Sequence, residues 1–597
     1  MAGDSLDTSD SISPLVGLVY IFNLIVGTGA LTMPAAFKDA GWVLSLIIVI
    51  VLAFMSYLTT TFVIEAMASA NALVHWKTLQ HYKRVVDEEE STITQAKQED
   101  MVYCATGCDK CLKCSTWPTV QLVGRSAALK GKLSKRNYLA IQIERVTNEL
   151  KTDDIISKCV DEDERVPLLL SSAAERMAES SHVNYFAITE RFELGKMASL
   201  FFSKLGVNLF YICIAVYLYG DLAIYGAAVA KSIRDVSCQV PLTPVDNSTI
   251  PVNNSNATLP SDMPCWQNST ISRGSAYRLF LLGFLCLVGP FTFFNVQKTK
   301  YLQIFTTLMR WIAFLSMILL CALALGQGKG QGHPAMAVPT GLPSLFGVCV
   351  YSFMCHHSLP SLVTPWREKR HLFPLLAADY LIILGFYTLL SFTGIFTFPE
   401  LHDMYTLNFQ PNSGTGGSII PHIPVLQYFL SLFPVFTLST NFPIIAITLR
   451  NNLRSLFLRE EPAASSSQPG SRPRSLTSSG SSSIQNGAPS QSCQQLLVER
   501  FFFPLLALLP PIAVALATES VEFLVGFTGS YAGAFIQYII PVALVHRARK
   551  QVLEALGLGV KNQHASPFRH GAWLVFVLVW AVACVTLVTV NHIVMQA

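Results

Sequence analysis

The sequence predicts an all-α, multi-pass membrane protein with about 11 transmembrane helices. Three observations lead there. Of the 597 residues, 51% are hydrophobic and only 13% charged, against about 25% charged in soluble globular chains. The apolar residues gather in runs near the ~20 needed to cross a hydrocarbon core. The loops between runs are basic on every second connection, as the positive-inside rule requires.

The elements follow in order. The tail 1–13 is acidic and polar (MAGDSLDTSDSI) and lacks the basic region of a cleavable signal, so the first apolar run is expected to stay as a span. Runs at 14–36 and 41–66 come next, within a first membrane block 14–66. A charged insertion covers 71–196, with a helix-forming stretch near 134–151. A third run, 205–230, leads into a polar loop, 233–274. Runs at 277–295, 302–325, 342–363, 373–394 and 425–448 fill a block 277–448. Residues 460–496 (AASSSQPGSRPRSLTSSGSSS within them) are too rich in Ser, Gly and Pro to bury a core, and disorder is expected. Runs at 499–517, 521–545 and 571–592 complete a last block, 499–592.

Charge sets the expected orientation. Lys298 and Lys300, then Arg367, Lys369 and Arg370, then Arg450, Arg454 and Arg459, then Arg547, Arg549 and Lys550 follow the even-numbered runs. This places the N-terminus in the cytosol and, with eleven runs, the C-terminus on the luminal side. The loop after the third run tests that assignment. It holds four Asn-x-Ser/Thr sequons, at Asn247, Asn253, Asn256 and Asn268, which can be glycosylated only on the luminal side. Cys238 and Cys265 bracket this loop, and on an oxidising side they are candidates for a disulfide, the alternative being two unpaired thiols.

Two runs are interrupted. The first reads Phe22-Asn23-Leu-Ile-Val-Gly27-Thr28-Gly29-Ala-Leu-Thr-Met33-Pro34, the sixth Tyr351-Ser352-Phe353-Met354-Cys355-His356-His357-Ser-Leu-Pro360. Unwound backbone is tolerated in a membrane only where protein buries it or it lines a cavity. Taken alone, the Gly pair reads equally well as close helix packing by small residues. Two breaks five runs apart predict instead a five-plus-five inverted repeat plus one helix, with a solute site between the breaks.

Here the residues resemble a family. NLIVGTGALTMPAAFKDAGW is similar to the first-span signature of the amino acid/auxin permease family, and YSFMCH to its sixth span. TLSTNFPIIAITLRNNL and LVGFTGSYAGAFIQYIIPVAL are similar to its eighth and tenth. The resemblance covers the apolar runs and omits 71–196 and 460–496. It implies a LeuT-like fold and amino-acid transport coupled to sodium or protons. Carried over, it implies that Gly27, Thr28 and Gly29 face a solute carboxylate, flanked by Phe22. It implies that Asn23, with Ser439, Thr440 or Asn441, meets the coupling cation, and that Tyr351 to His356 shape the side-chain pocket. His357-Ser358 stands where some neutral amino-acid carriers have Pro-Glu, so the solute class stays open.

Other features remain. Asp221 and Arg310 lie within runs, where a charge is costly unless paired or hydrated. Asp221 reads as a cation or proton relay or as a partner of a helix end; Arg310 reads as a side chain reaching the cytosolic surface. Cys104, Cys108, Cys111 and Cys114 in the insertion suit zinc, acylation or free thiols, their spacing departing from paired Cys-x-x-Cys. Glu164, four residues before Leu168-Leu169, matches an acidic dileucine signal read by clathrin adaptors, against a plain acidic solvated face. It points to a lysosomal or late endosomal membrane. The net charge of +4 comes with no basic stripe bearing aromatics, so nucleic-acid binding is not expected. No HExxH, Walker loop or GxSxG is present, so neither an enzyme nor a resident cofactor is expected beyond a coupling sodium ion or proton. The partners expected are an amino acid-like solute and the lipid bilayer. A second reading, a solute sensor or scaffold that binds without transporting, is kept because transport does not need the large insertion.

Overall fold

The computed structural model describes residues 12–106, 184–238, 261–266, 269–293, 300–410, 419–457, 493–557 and 560–596. Among the described residues the secondary structure is helical apart from two isolated β-bridges. The first run forms two helices, α1 (Pro14–Ile25) and α2 (Gly29–Ala40), bent by 57°. Helix α3 (Trp42–Thr106) follows, then α4 (Leu194–Phe201) and α5 (Lys204–Ser237). Helix α6 (Arg273–Val288) continues as a 3-10 turn through Phe293, and α7 spans Lys300–Gly326. The sixth run is broken into α8 (Leu342–Ser352) and α9 (Leu359–Val363). Helices α10 (Leu372–Thr397), α11 (Pro424–Phe457), α12 (Cys493–Ala517), α13 (Val521–Thr528), α14 (Ile540–Leu556) and α15 (Gly571–Gln596) complete the chain. Two π-turns, Gly529–Gly533 and Phe535–Ile539, join α13 to α14 in one long element.

Each apolar run falls on a helix or a broken helix. By length and hydropathy eight of the described helices can cross a membrane, or nine with the bent pair, so the expected eleven is not reached on that criterion. Helix α12 adds a shorter apolar stretch, Phe501–Ala517. The sixth run is divided between helices too short to qualify. The helix that carries the second run continues past 66. Glu65 to Asn71 is alanine-rich and continues in good helix formers, so nothing in the sequence stops α3 before Thr106.

The chain divides into two compact units. The smaller contains Ile64–Phe192 and Ala548–Ala565. Within it Arg549 Nε and Nη2 make a two-pronged pair with Glu65, both at 2.8 Å. Asn71 accepts from the N–H groups of Thr189 and Glu190 at 3.3 and 2.9 Å, and Trp76 meets Tyr185 edge to face. The larger unit holds Asp7–Val63, Glu193–Arg547 and Ser566–Ala597. Its outer helices keep apolar residues exposed, such as Val575, Val579 and Val582 on α15, as a lipid-facing surface requires.

Within the larger unit, close contact at glycine fixes which helices touch. A Cβ on Gly529 would lie 2.9 Å from the Gly347 carbonyl carbon, so α8 and the π-turn after α13 cross backbone to backbone. A Cβ on Gly17 would lie 2.8 Å from Trp366 Cζ2, and Ile12 bridges this same segment through Ile12 N–H to Pro365 O (2.9 Å) and Arg367 N–H to Ile12 O (3.0 Å). The start of the first broken pair is therefore anchored to the chain just past the second. Cys238 and Cys265 are joined by a disulfide, their Cα atoms 4.6 Å apart, beside Ala276.

A buried polar layer lies at the end of α5. Lys231 bonds both Asp403 oxygens at 2.7 Å, and Asp403 also accepts from Val521 N–H at 3.1 Å. Burial pushes the Asp403 carboxyl up, but the Lys231 ammonium more than offsets this and leaves it below the ordinary carboxylate range. Arg234 pairs with Asp235 (2.7 Å) and Glu519 (2.6 Å), and Arg273 pairs with Asp235 (2.5 Å).

Candidate solute site

The first break begins where the helical ladder fails. Val26 still donates to Phe22 O at 2.8 Å, but it takes ψ 81°, outside the helical region. The Gly27 N–H then turns back to Ile25 O (2.8 Å), and those of Ala30 and Leu31 reach Gly27 O (3.2 Å) and Thr28 O (3.0 Å) as α2 starts. Among the described residues no carbonyl accepts from the N–H groups of Thr28 or Gly29. They stand at the positive end of α2's dipole, where an anion is favoured.

The second break begins at Ser352. Phe353 and Met354 N–H return to Cys349 O (3.0 Å) and Tyr351 O (3.3 Å), and α9 starts at Leu359. The two breaks face each other. A Cβ on Gly29 would sit 2.8 Å from Ser352 Cα. Tyr387 of α10 spans both, its hydroxyl donating to Ile25 O at 2.8 Å and Ser352 O at 3.0 Å. Tyr351 donates to the buried Asp221 carboxylate of α5, and Tyr217 tilts against the Tyr351 ring with centroids 6.2 Å apart.

The predicted pocket residues divide into groups. Gly29, Ser352 and the Tyr351–Asp221 pair gather at the junction of the breaks. A Cβ on Gly27 would make only ordinary van der Waals contact, with Leu24 O and Ile25 O at 3.8 and 3.9 Å. Phe353 stacks on Tyr380 and meets Tyr387 edge to face, and Met354 Cε would lie 3.0 Å from a Cβ on Gly533. Cys355 and His356 turn toward α3. The His356 Nε2 is 2.8 Å from the Thr59 hydroxyl, and the Tyr380 hydroxyl joins Thr60 (2.8 Å), Ser56 (3.1 Å) and Cys355 Sγ (3.3 Å). His357 stacks obliquely on Tyr217 at 5.5 Å.

Phe22 lies on the other side of the break, stacked on Trp311 with centroids 4.5 Å apart. The Asn23 side chain is buried, and neither amide atom has a hydrogen-bond partner among the described residues. Ser439, Thr440 and Asn441 are half-buried on the continuous helix α11, where Thr440 bonds back to Thr437 O at 2.9 Å, and no hydrogen bond joins them to Asn23.

Arg310 does not reach for the surface, as the sequence suggested. Its Nη1 donates to Asn23 O (2.5 Å) and Val26 O (3.1 Å) inside the first break. The sequence reading also missed Tyr387 and Tyr380. A tyrosine in the middle of an apolar run is their one signal, and Tyr is ordinary enough in spans to hide it. The sequons Asn247, Asn253, Asn256 and Asn268, the dileucine residues Glu164, Leu168 and Leu169, and Cys108, Cys111 and Cys114 lie outside the described residues, as does the side chain of Cys104.

Comparison with known proteins places this geometry. A family model described as transmembrane amino acid transporter protein matches residues 10–124 and 267–587, reaching into the charged insertion and across 460–496, and leaving the third apolar run, 205–230, outside the match. The chain is 44% identical to Transmembrane protein 104 of Gallus gallus over the full length of both. It is 45% identical to Transmembrane protein 104 of Homo sapiens, over 99% of each chain. It is 42% identical to the Transmembrane protein 104 homolog of Drosophila melanogaster, over 98% of each. Two separate broken helices meeting at one tyrosine, on a chain matched over both, make the conclusion direct: the chain belongs to the transmembrane amino acid transporter family.

Proposed function

We propose that the protein is a secondary active transporter of amino acids or similar small zwitterionic solutes, coupled to sodium or protons. The observation that carries this is the pair of N–H groups at Thr28 and Gly29 from which no described carbonyl accepts, set against the second break. A carboxylate there gains charge-assisted hydrogen bonds from donors that have no competing partner. The Tyr351–Asp221 pair supplies a buried acceptor across the junction for a solute ammonium group or a proton. Phe353 and Met354, in apolar contacts, are the residues suited to tune side-chain preference.

The acidic dileucine segment supports residence in lysosomal or late endosomal membranes, with the sequons on the luminal side. Changing Leu168 and Leu169 to Ala is then expected to shift the protein to the cell surface, and retention in lysosomes would discard that signal.

The test of transport is flux. Purified protein in liposomes, loaded and challenged with radiolabelled amino acids across a pH or sodium gradient, should accumulate at least one of them. Solute-dependent thermal stabilisation with no flux would turn the reading toward a sensor; neither would reject the site.

A further inference from the structure

The first break frees carbonyl oxygens as well as N–H groups. In an unbroken helix Asn23 O would accept from Gly27 N–H, and Val26 O from Ala30 N–H. Here those donors go to Ile25 O and Gly27 O. Two carbonyls at the negative end of α1 are thereby left to outside partners. One group takes both, the Arg310 guanidinium of α7, at 2.5 and 3.1 Å. Among the described residues no carboxylate pairs with it. The phenols of Tyr225 and Tyr387 also act on it electrostatically. Phe22, Trp311, Phe314 and Phe386 close the niche around Arg310, Asn23 and Val26, leaving no room for a water molecule.

This is the environment that suits a bound hard cation: converging carbonyl dipoles at a helix end and an amide side chain without a partner. The charge that fills it belongs to the protein. We infer that the Arg310 guanidinium is the resident cation of the broken helix and makes this site independent of sodium. The inference rests on the reading of the break as a transport site. Like charges a few ångströms apart in a low-dielectric interior repel strongly, so a sodium ion cannot enter while the guanidinium is seated. Coupling through Asn23 with Ser439, Thr440 and Asn441 is replaced by a covalently tethered positive charge. Removing the guanidinium would leave Asn23 O, Asn23 Oδ1 and Val26 O as oxygen donors around an uncompensated gap.

The test needs no solute, so its outcome is separate from that of the flux assay. Full-length protein in lipid nanodiscs is melted in sodium chloride and in N-methylglucamine chloride at equal ionic strength. The wild type is expected to melt at the same temperature in both. Arg310→Met is expected to melt lower than wild type in N-methylglucamine chloride and to be raised by sodium. A sodium-specific rise in the wild type would overturn the inference, and so would an Arg310→Met protein indifferent to sodium. If Arg310→Met does not fold, Arg310→Lys and Arg310→Gln decide. Lys keeps the charge, should melt above Gln and should ignore sodium; equal melting of the two would show that charge is not what the site holds. A wild type that moves no amino acid in liposomes would reject transport while leaving these melting results in place.

Discussion

Tyr387 joins the two breaks, and its hydroxyl can be removed with almost no change of shape. Tyr387→Phe deletes bonds of 2.8 Å to Ile25 O and 3.0 Å to Ser352 O. Ile25 O keeps the Gly27 N–H at 2.8 Å, so its loss is partial. Ser352 O lies where its helix has ended and has no other described donor, so it becomes a buried carbonyl without a partner. Interhelical side-chain hydrogen bonds in membranes average about 0.6 kcal/mol. A stranded buried acceptor costs about 1–3 kcal/mol. The substitution should therefore destabilise the protein by about 1–4 kcal/mol, most of it from Ser352 O. Thermal unfolding in nanodiscs measures this, with cysteine accessibility at position 27 reporting whether the breaks separate. A Phe variant that melts with the wild type and leaves position 27 unchanged would refute the view that this tyrosine holds the breaks together.

Further expectations follow from the same structure. Gly27→Ala meets nothing closer than 3.8 Å, so it should fold normally while lowering solute binding; Gly29→Val drives into Ser352 and should lose stability as well. Comparing melting with ligand response in the two separates packing from the site. Lys231→Met strands the Asp403 carboxylate and should cost about 3–5 kcal/mol, with Lys231→Met/Asp403→Leu recovering much of it in a double-mutant cycle. Because Asp403 titrates below its ordinary value of 3.8, its contribution is complete above that pH and is lost only as pH falls through the lower folded value. Melting temperatures of wild type and Asp403→Asn should then differ by a constant amount from pH 7 to pH 5, and a gap that closes within that window would contradict the assignment. Replacing Cys238 and Cys265 by Ser opens a loop of separation 27 and should cost about 3–4 kcal/mol of stability, read as a lower melting temperature without reductant.

The sequence by itself determined the membrane class, the order of the helices and the positions of both breaks. These depend on local chemistry: runs long enough for the bilayer, and Gly27, Gly29 and Pro360 where a continuous ladder is hard to keep. It also pointed to the pairing of Cys238 with Cys265, because two cysteines bracket one polar loop. No glycine or proline marks a boundary inside α3, so the sequence does not show where this helix ends. Only the tertiary structure decided what the polar residues do. Cys355 and His356 sit next to Tyr351 in sequence, yet the turn after Ser352 sends them to Thr59 and Tyr380 while Tyr351 reaches Asp221. Arg310 lies about two turns into its run, from where a long side chain can still reach back to water, and composition favours that route. What overrides it is a pair of carbonyls freed by a break almost three hundred residues earlier in the chain. Hydrogen-bonding vacancies of this kind arise from backbone geometry, and which side chain fills them depends on which helix packs alongside.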